Sequence, residues 1–175
     1  FKPFFIPTAS VDAEKSSAYL LRMPAAYVKK TGDNLLFTNA RAEADKFIFI
    51  EKEQGLYYIY DQTAKGYIYY VSTDNGSSVK STASSNVRFT TDATEANTWQ
   101  LLYLSEETAA IVPGSVRNPS ASSASLNFMG GIAGQNVLNL WHASDANSAW
   151  EIIDPTAGSM PCATLMYALP GAPYI

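Results

Sequence analysis

The sequence predicts an all-β domain built from three similar units of about four strands each. The first observation is an internal repeat, because three stretches resemble one another: LLFTNARAEADKF (35–47), VRFTTDATEANTW (87–99) and LNLWHASDANSAW (138–150). The second is composition, since the chain contains 11 Tyr, 8 Phe and 3 Trp, and aromatic residues favour strands. The third is that no segment shows a sustained apolar period of 3.6 residues, so we predict no long helix.

Short strand candidates alternate with turn signals along the chain. Met23-Pro24 and Pro113-Gly114 end strands, while Gly32-Asp33-Asn34, Asp74-Asn75-Gly76 and Gly130-Gly131 supply turns with positive φ. The predicted strands are 18–22, 26–29, 35–38 and 47–51 in the first unit, 56–61, 67–72, 87–90 and 98–104 in the second, and 109–113, 124–129, 137–141 and 149–153 in the third.

Each repeat ends in a large aromatic residue, Phe47, Trp99 or Trp150, ten positions after an apolar residue. The connector between the two is rich in Ala, Thr, Asp and Asn. In the second unit Asp92 is followed three positions later by Glu95, which is the pattern of a capped single helical turn. We predict that each turn leads its aromatic residue into the fourth strand, so that the three meet at one level of the core and have a structural role.

Composition and charge narrow the class of protein. A length of 175 residues fits one domain, and 47% hydrophobic residues can fill a sizeable core. The net charge is −4 and the twelve Lys and Arg residues are scattered, which argues against nucleic-acid binding. With one Cys and one His, we predict no disulfide framework, no metal and no cofactor. No apolar run reaches transmembrane length, so no membrane insertion is expected.

The sequence offers little for catalysis. His142 is the single histidine, so any Ser/His/Asp arrangement would depend on it alone. No Gly-x-Ser-x-Gly elbow, phosphate-binding loop or dinucleotide fingerprint is present. Cys162 lies in a Pro-flanked tail without a nearby histidine, which is typical of an inert thiol. We therefore predict that the chain is not an enzyme. Its Tyr-, Ser-, Thr- and Asn-rich composition is typical of bacterial proteins that are secreted or displayed at the cell surface.

Three units of four strands resemble a β-trefoil, and their motifs are similar to those of ricin-type lectin modules. In that family each unit ends in a Gln-x-Trp motif after a short helical turn. The matching positions here are Asp45-Lys46-Phe47, Asn97-Thr98-Trp99 and Ser148-Ala149-Trp150, none of which carries Gln. Leu140-Trp141 and the segment GLYYIYDQTAKGYIYYV (55–71) also resemble features of the family. The resemblance implies a β-trefoil fold and carbohydrate binding.

The resemblance covers about residues 17–155, with units at about 17–54, 55–107 and 108–155. The flanking segments 1–16 and 156–175 lie outside the repeat, yet both carry apolar residues. We therefore predict a single β-trefoil domain with ordered N- and C-terminal extensions. These extensions either cap the barrel or join neighbouring domains.

The resemblance also implies where a sugar would bind. Sugar-binding units of the family place an Asp on the second strand, whose carboxylate accepts hydrogen bonds from two sugar hydroxyls. The corresponding positions here are Lys29, Tyr70 and Asn127, to within one residue, and Asn127 is the nearest functional substitute. The third unit also supplies an aromatic ring and polar side chains, which a sugar site needs. The predicted carbohydrate-binding residues are Asn127, Asn139, Trp141 and His142.

Three non-catalytic functions remain open, because a fold alone does not choose a function. The first is a lectin-like, carbohydrate-binding module of a secreted glycan-active or surface protein. The second is a protein-binding trefoil such as a protease inhibitor, which would present the loop at 73–86 or the loop at 114–123 with its protruding Arg117. The third is a structural spacer that docks onto neighbouring domains. The expected partner is thus a glycan or a neighbouring protein domain.

Overall fold

The computed structural model describes residues 18–23, 26–129, 137–155 and 158–159. This part of the chain contains three single-turn 3-10 helices (Arg41–Glu43, Thr82–Ser84 and Ala146–Ser148) and no α-helix. Its strands are β1 (Leu20–Met23), β2 (Ala26–Thr31), β3 (Asn34–Thr38), β4 (Phe47–Glu53), β5 (Leu56–Asp61), β6 (Gly66–Tyr70), β7 (Val87–Thr90), β8 (Trp99–Tyr103), β9 (Ala109–Pro113), β10 (Ala124–Phe128), β11 (Leu138–His142), β12 (Glu151–Asp154) and β13 (Gly158–Ser159).

Twelve of these strands are the twelve that the sequence predicts, with ends that differ by no more than two residues. The alternating pattern that predicted them is visible in β5, where Tyr57, Ile59 and Asp61 are buried and the residues between them are half-buried. The connector of the second unit is a hydrogen-bonded turn rather than a helical one. The Asp92 side chain accepts from Thr94 N as a cap would.

Six strands close into a barrel: β1, β4, β5, β8, β9 and β12. Four antiparallel pairings join β1 to β12, β4 to β5, β5 to β8, and β8 to β9. Two isolated bridges, Tyr19 with Phe47 and Ala109 with Trp150, complete the ring. Each unit adds one hairpin to the barrel: β2–β3, β6–β7 and β10–β11. A closed six-stranded barrel with three hairpins is a β-trefoil, as the sequence predicts.

The three repeated aromatic residues lie in the core, as predicted. Phe47, Trp99 and Trp150 are fully buried within one continuous apolar cluster. Trp99 Nε1 donates to Ile68 O at 3.0 Å, and Trp150 Nε1 donates to Leu126 O at 2.8 Å. Each indole therefore ties the fourth strand of its unit to the second strand, and its buried N–H has a partner.

The register of the three hairpins determines which second-strand residues are equivalent. The apolar residues of the repeat, Phe37, Phe89 and Leu140, lie opposite Val28, Ile68 and Leu126. The next residue along the second strand is therefore the equivalent position in each unit: Lys29, Tyr69 and Asn127. In the second unit this corrects the sequence alignment by one residue, from Tyr70 to Tyr69. Two adjacent tyrosines are alike in sequence, and only their pairing with β7 tells them apart.

Several predicted features lie outside the described residues: the N-terminal extension 1–16, the turn Gly130-Gly131 and Cys162. Of the C-terminal extension 156–175, the structure describes β13, which pairs antiparallel with β12 through Ile153 opposite Ser159. Within the described ranges, no helix has the length and apolar character needed to cross a membrane.

Candidate functional site

A polar cleft of about 330 Å³ opens on the third unit, beside the hairpin β10–β11. Three parts of the chain line it: the end of β10, the segment from β11 to the 3-10 helix Ala146–Ser148, and the loop between β6 and β7. Their lining residues are, in that order, Asn127 and Met129, then Trp141, Asp145 and Asn147, then Gly76, Ser77 and Ser78. The cleft is therefore built from two units of the trefoil, the second and the third.

Asn127 and Asp145 form one polar side of the cleft. Asn127 is buried, and its Nδ2 donates to Asp145 Oδ2 and to Ser148 Oγ, both at 2.9 Å. A carboxylate accepts and does not donate, so this contact fixes the orientation of the amide. Asp145 also caps the 3-10 helix, because its Oδ2 accepts from Asn147 N at 3.0 Å. Among the described residues no donor reaches Asp145 Oδ1 or Asn127 Oδ1, which leaves two acceptors for a ligand.

Trp141 forms an apolar side of the cleft. It exposes 38% of its surface, although the three residues before it on β11 are buried. Its ring packs edge-on against His142, with centroids 5.0 Å apart and planes at 60°. An exposed indole next to oriented polar groups provides both surfaces that a sugar ring presents, the C–H face and the hydroxyls.

The loop between β6 and β7 supplies the wall of the cleft that belongs to the second unit. Gly76 N donates to Leu140 O at 2.8 Å, and Asn139 Nδ2 donates to Ser77 O at 2.8 Å. At the other end of the loop, Asn86 N donates to Asn139 Oδ1 at 3.1 Å. The loop is therefore hydrogen-bonded to β11 at two separate points.

The structure places the four predicted site residues in two groups. Asn127 and Trp141 line the cleft. Asn139 is fully buried beneath the loop, and His142 is half-buried with its Nδ1 at 3.4 Å from Asn75 Nδ2. Asn139 and His142 thus support the wall of the cleft rather than line it. Carbohydrate binding by these residues stays a prediction.

The sequence reasoning missed Asp145, Asn147, Ser77 and Ser78 as lining residues. Asp145 carries a signal that could have found it, because an Asp just before a short helical turn is a preferred N-cap. An N-cap at the edge of a cleft presents its second carboxylate oxygen to solvent. Ser77 and Ser78 carry no comparable local signal, since they reach the cleft only because their loop in the second unit lies against the third unit.

The charge of the side chains that line the cleft restricts the ligands that it can bind. Among the described residues that line the cleft, Asp145 is the one ionisable side chain and there is neither Lys nor Arg. An anionic ligand would therefore meet a carboxylate without a compensating cation, whereas a hydroxyl can donate to it in a charge-assisted bond. Within the described residues, no group of three or more His, Cys, Asp or Glu side chains converges to hold a metal ion.

A second polar cluster, apart from the cleft, joins the first two units. Asp45 and Asp61 are both buried, with Lys30 N donating to Asp45 Oδ2 and Ala64 N donating to Asp61 Oδ1, each at 2.9 Å. No donor among the described residues reaches Asp61 Oδ2. Burial, and next the hydrogen bond that it shares with Asp45, raise the pKa of Asp61 to about 8. Two ionised carboxylates cannot hydrogen-bond to each other, so this contact favours the protonated form of Asp61.

Comparisons with known proteins support the fold and go no further. No protein-family model matches the sequence, and no curated protein sequence matches it. Among solved structures, the chain is similar to ThreeFoil, a designed 3-fold symmetric protein, with a TM-score of 0.56. The two are 13% identical, and the match covers 78% of this chain and 98% of ThreeFoil. At this identity the likeness shows a shared threefold β-trefoil fold alone.

Proposed function

We propose that this protein is a non-catalytic, lectin-like carbohydrate-binding module with one site, in the cleft of the third unit. One observation carries the proposal: the exposed indole of Trp141 lies in the same cleft as two unused acceptors, Asp145 Oδ1 and Asn127 Oδ1. The trefoil fold suits a binding module but does not select its ligand. The ricin-type resemblance in the sequence adds support, because it points to the same unit.

Each part of a sugar has a complement in the cleft. The C–H face of the ring would pack on Trp141, and two neighbouring hydroxyls would donate to Asp145 and Asn127. A hydrogen bond to a carboxylate is stronger than one between neutral groups, so we expect Asp145 to contribute most of the polar selectivity. In the other units Lys29 and Tyr69 replace Asn127, which is why we propose a single site.

We infer that the ligand is an uncharged sugar with free neighbouring hydroxyls. The carboxylate of Asp145 has no cation beside it among the lining residues that the structure describes, so sialic or glucuronic acid would be repelled. Glycoside hydrolysis uses a pair of carboxyl groups, and the described part of the lining supplies one. The proposed function is therefore binding without turnover.

We expect weak binding to one sugar and useful binding to many. A single open site gains strength when several copies of the ligand are presented together. Glycans are displayed in this way at cell surfaces and in extracellular polymers. We therefore propose that the protein acts outside the cell, secreted or attached to a cell surface.

The test is binding to multivalent conjugates of galactose, glucose, mannose, N-acetylglucosamine, sialic acid and glucuronic acid. We expect binding to at least one neutral conjugate and none to the acidic ones. Trp141→Ala should weaken the binding about tenfold or more, because a central aromatic contact is lost. Trp141→Phe is the matched control, since it keeps a ring in the cleft and should retain a large part of the affinity.

Two results would count against this function. One is no binding to any conjugate. The other is equal binding by wild type and Trp141→Ala when circular dichroism shows that both are folded. Asp145→Asn separates charge from shape, because the amide keeps an acceptor for Asn127 but loses the negative charge. This variant should lose affinity for neutral sugars and no longer discriminate as strongly against acidic ones.

A protein-binding role is the second candidate, favoured by one observation at the loop after β9. Gln100 Nε2 donates to Pro113 O at 2.9 Å and to Val116 O at 2.8 Å, which anchors this loop without a disulfide. Arg117 is exposed next to the anchored residue. Inhibition of a trypsin-like protease that is abolished by Arg117→Ala, together with no sugar binding, would favour this role.

A further inference from the structure

The segment 75–78 is a part of the second unit that is built onto the third. Gly76 N donates to Leu140 O at 2.8 Å, and Ser77 O accepts from Asn139 Nδ2 at 2.8 Å. Both partners lie on β11, directly before Trp141. The two serines of the segment line the cleft with their exposed side chains. The position of this wall therefore depends on hydrogen bonds that cross between units.

Asn139 joins this loop to the third unit through hydrogen bonds of its side-chain amide. It is completely buried and lies opposite Asn127 in the β10–β11 hairpin. Its Nδ2 bonds to the middle of the loop at Ser77 O, and its Oδ1 accepts from the last loop residue, Asn86 N, at 3.1 Å. The same Oδ1 accepts from Leu140 N at 2.8 Å. One amide thus fixes two separate points of the loop to the strand that carries Trp141.

On the loop side, the contact with Asn139 requires a glycine at position 76, and this residue is Gly76. A Cβ built at this position would overlap the side-chain amide of Asn139, so with any larger residue either the loop or that amide must shift and their contact is disturbed. Gly76 does not have the positive φ that its turn sequence predicts, so glycine is needed at this position for a close approach between backbone and side chain. Asn139 and Gly76 act as one contact, in which each is shaped for the other.

We propose that Asn139 and Gly76 are positioning residues for the cleft, which hold Ser77 and Ser78 as its second wall. The inference rests on the proposed function and deepens it, because the sugar would then be recognised by two units of the trefoil at once. The third unit supplies the ring platform and the acceptors for hydroxyls. The second unit supplies the serine hydroxyls, which would select among neutral sugars by the substituents that point to that wall.

Gly76→Ala is the direct test, read out in two independent ways. Without any ligand, amide hydrogen exchange at residue 76 should become about tenfold faster or more, because the bond to Leu140 O is broken. With the neutral-hexose conjugate that wild type binds best, affinity should fall by about tenfold. Thermal unfolding of the variant should stay close to that of wild type, since the loop lies outside the apolar core.

Asn139→Ala gives the second arm, because it removes the group that the new Cβ would meet. In that background Gly76→Ala should cause little further loss of affinity, so that the two effects are not additive. Gly114→Ala is the matched control. Its added Cβ would crowd Thr98 Oγ1 at 2.6 Å and the backbone Thr98 O at 2.7 Å, but Gly114 is not among the described residues that line the cleft. Affinity should be retained in the folded variant, as judged by circular dichroism.

The outcomes separate this inference from the function on which it rests. If wild type binds no conjugate, the proposed function fails and the inference fails with it. If wild type binds and Gly76→Ala binds equally well, the inference alone is overturned, whether or not hydrogen exchange changes. Additive losses from Asn139→Ala and Gly76→Ala would overturn it as well, because they would show that the two residues do not form one contact.

Discussion

One position of the connector differs between the units: it forms a side-chain hydrogen bond in the first two units and is exposed in the third. Nine residues before the core aromatic, Thr38 Oγ1 donates to Glu43 Oε2 at 3.4 Å in the first unit. In the second unit Thr90 Oγ1 donates to Glu95 Oε1 at 3.0 Å. In the third unit the same position is Trp141, which is exposed and has no hydroxyl that could form this bond. The first two connectors are closed by a side-chain bond, and the third is open.

The turn itself is also displaced in the third unit. In the first unit the 3-10 helix begins at Arg41, six residues before Phe47, whereas in the third it begins at Ala146, four residues before Trp150. This displacement places Asp145 at the N-cap, where it meets Asn127. The repeat thus preserves the core of every unit but not the surface above it. The candidate site lies where the repeat is broken.

The largest effect should come from the conserved part of the repeat, and should be similar in two units. Trp99→Ala and Trp150→Ala should each lower the free energy of unfolding by about 3–5 kcal/mol, because each removes a fully buried ring. Each also leaves a buried carbonyl, Ile68 O or Leu126 O, without its donor. Denaturant titration measures both changes. A cost below about 1 kcal/mol in either unit would contradict an equivalent core.

The next largest effect concerns the buried pair of Asp45 and Asp61, which joins the first two units. The folded-state pKa of Asp61, about 8, lies above its ordinary value of 3.8. Its proton therefore adds stability that is fully present below about pH 4 and is lost as pH rises through 8. The free energy of unfolding should fall with pH in that window by at most about 1.4 kcal/mol per unit.

Asp61→Asn should flatten that dependence, because the amide donates to Asp45 without titrating. The variant should be more stable than wild type at pH 8 and above, as measured by urea titration across pH 4–9. Asp45 corresponds to Asn97 in the second unit, where the amide bonds to both Tyr70 N and Tyr70 O. An unchanged pH profile in Asp61→Asn would show that Asp61 is not the group responsible.

The smallest effects should separate stability from binding between the closed and open connectors. Thr90→Val removes the hydroxyl that bonds to Glu95 and to Asp92 N, and should cost about 1 kcal/mol with no change in sugar binding. Trp141→Ala should do the reverse: it should lose most of the binding and lower the free energy of unfolding by less than Trp99→Ala does, because 38% of its surface is already exposed. Binding lost in Thr90→Val would mean that the second connector is also a site.

The fold was predictable because it depends on periodic features of the sequence. Alternation of buried residues indicated the strands, and the recurrence of Phe47, Trp99 and Trp150 indicated three units. The register within a hairpin was less accessible, as the shift from Tyr70 to Tyr69 shows, because it depends on which residues pair across strands. Local pattern predicts elements, while pairing requires the assembled sheet.

The candidate site was predictable in part. Asn127 and Trp141 could be found because they occupy repeat positions where the third unit differs from the others. Asn139 looked equivalent to them, but its side chain is buried beneath the loop and bonds to backbone. The contribution of Ser77 was hidden, since 62 residues separate it from Asn139 and nothing local to either predicts the contact.

The placement of the three tryptophans gives the molecule a built-in optical reporter. Trp99 and Trp150 are sealed in the core with their indole nitrogens bonded to carbonyls, and Trp141 is open to solvent in the cleft. Their fluorescence should therefore separate into a blue-emitting pair and one red-emitting, iodide-quenchable component. A ligand bound at Trp141 would shift the emission of that component alone and protect it from quenching. Global unfolding would instead shift the emission of all three tryptophans. Occupancy and unfolding can thus be followed at the same time, in one unlabelled sample.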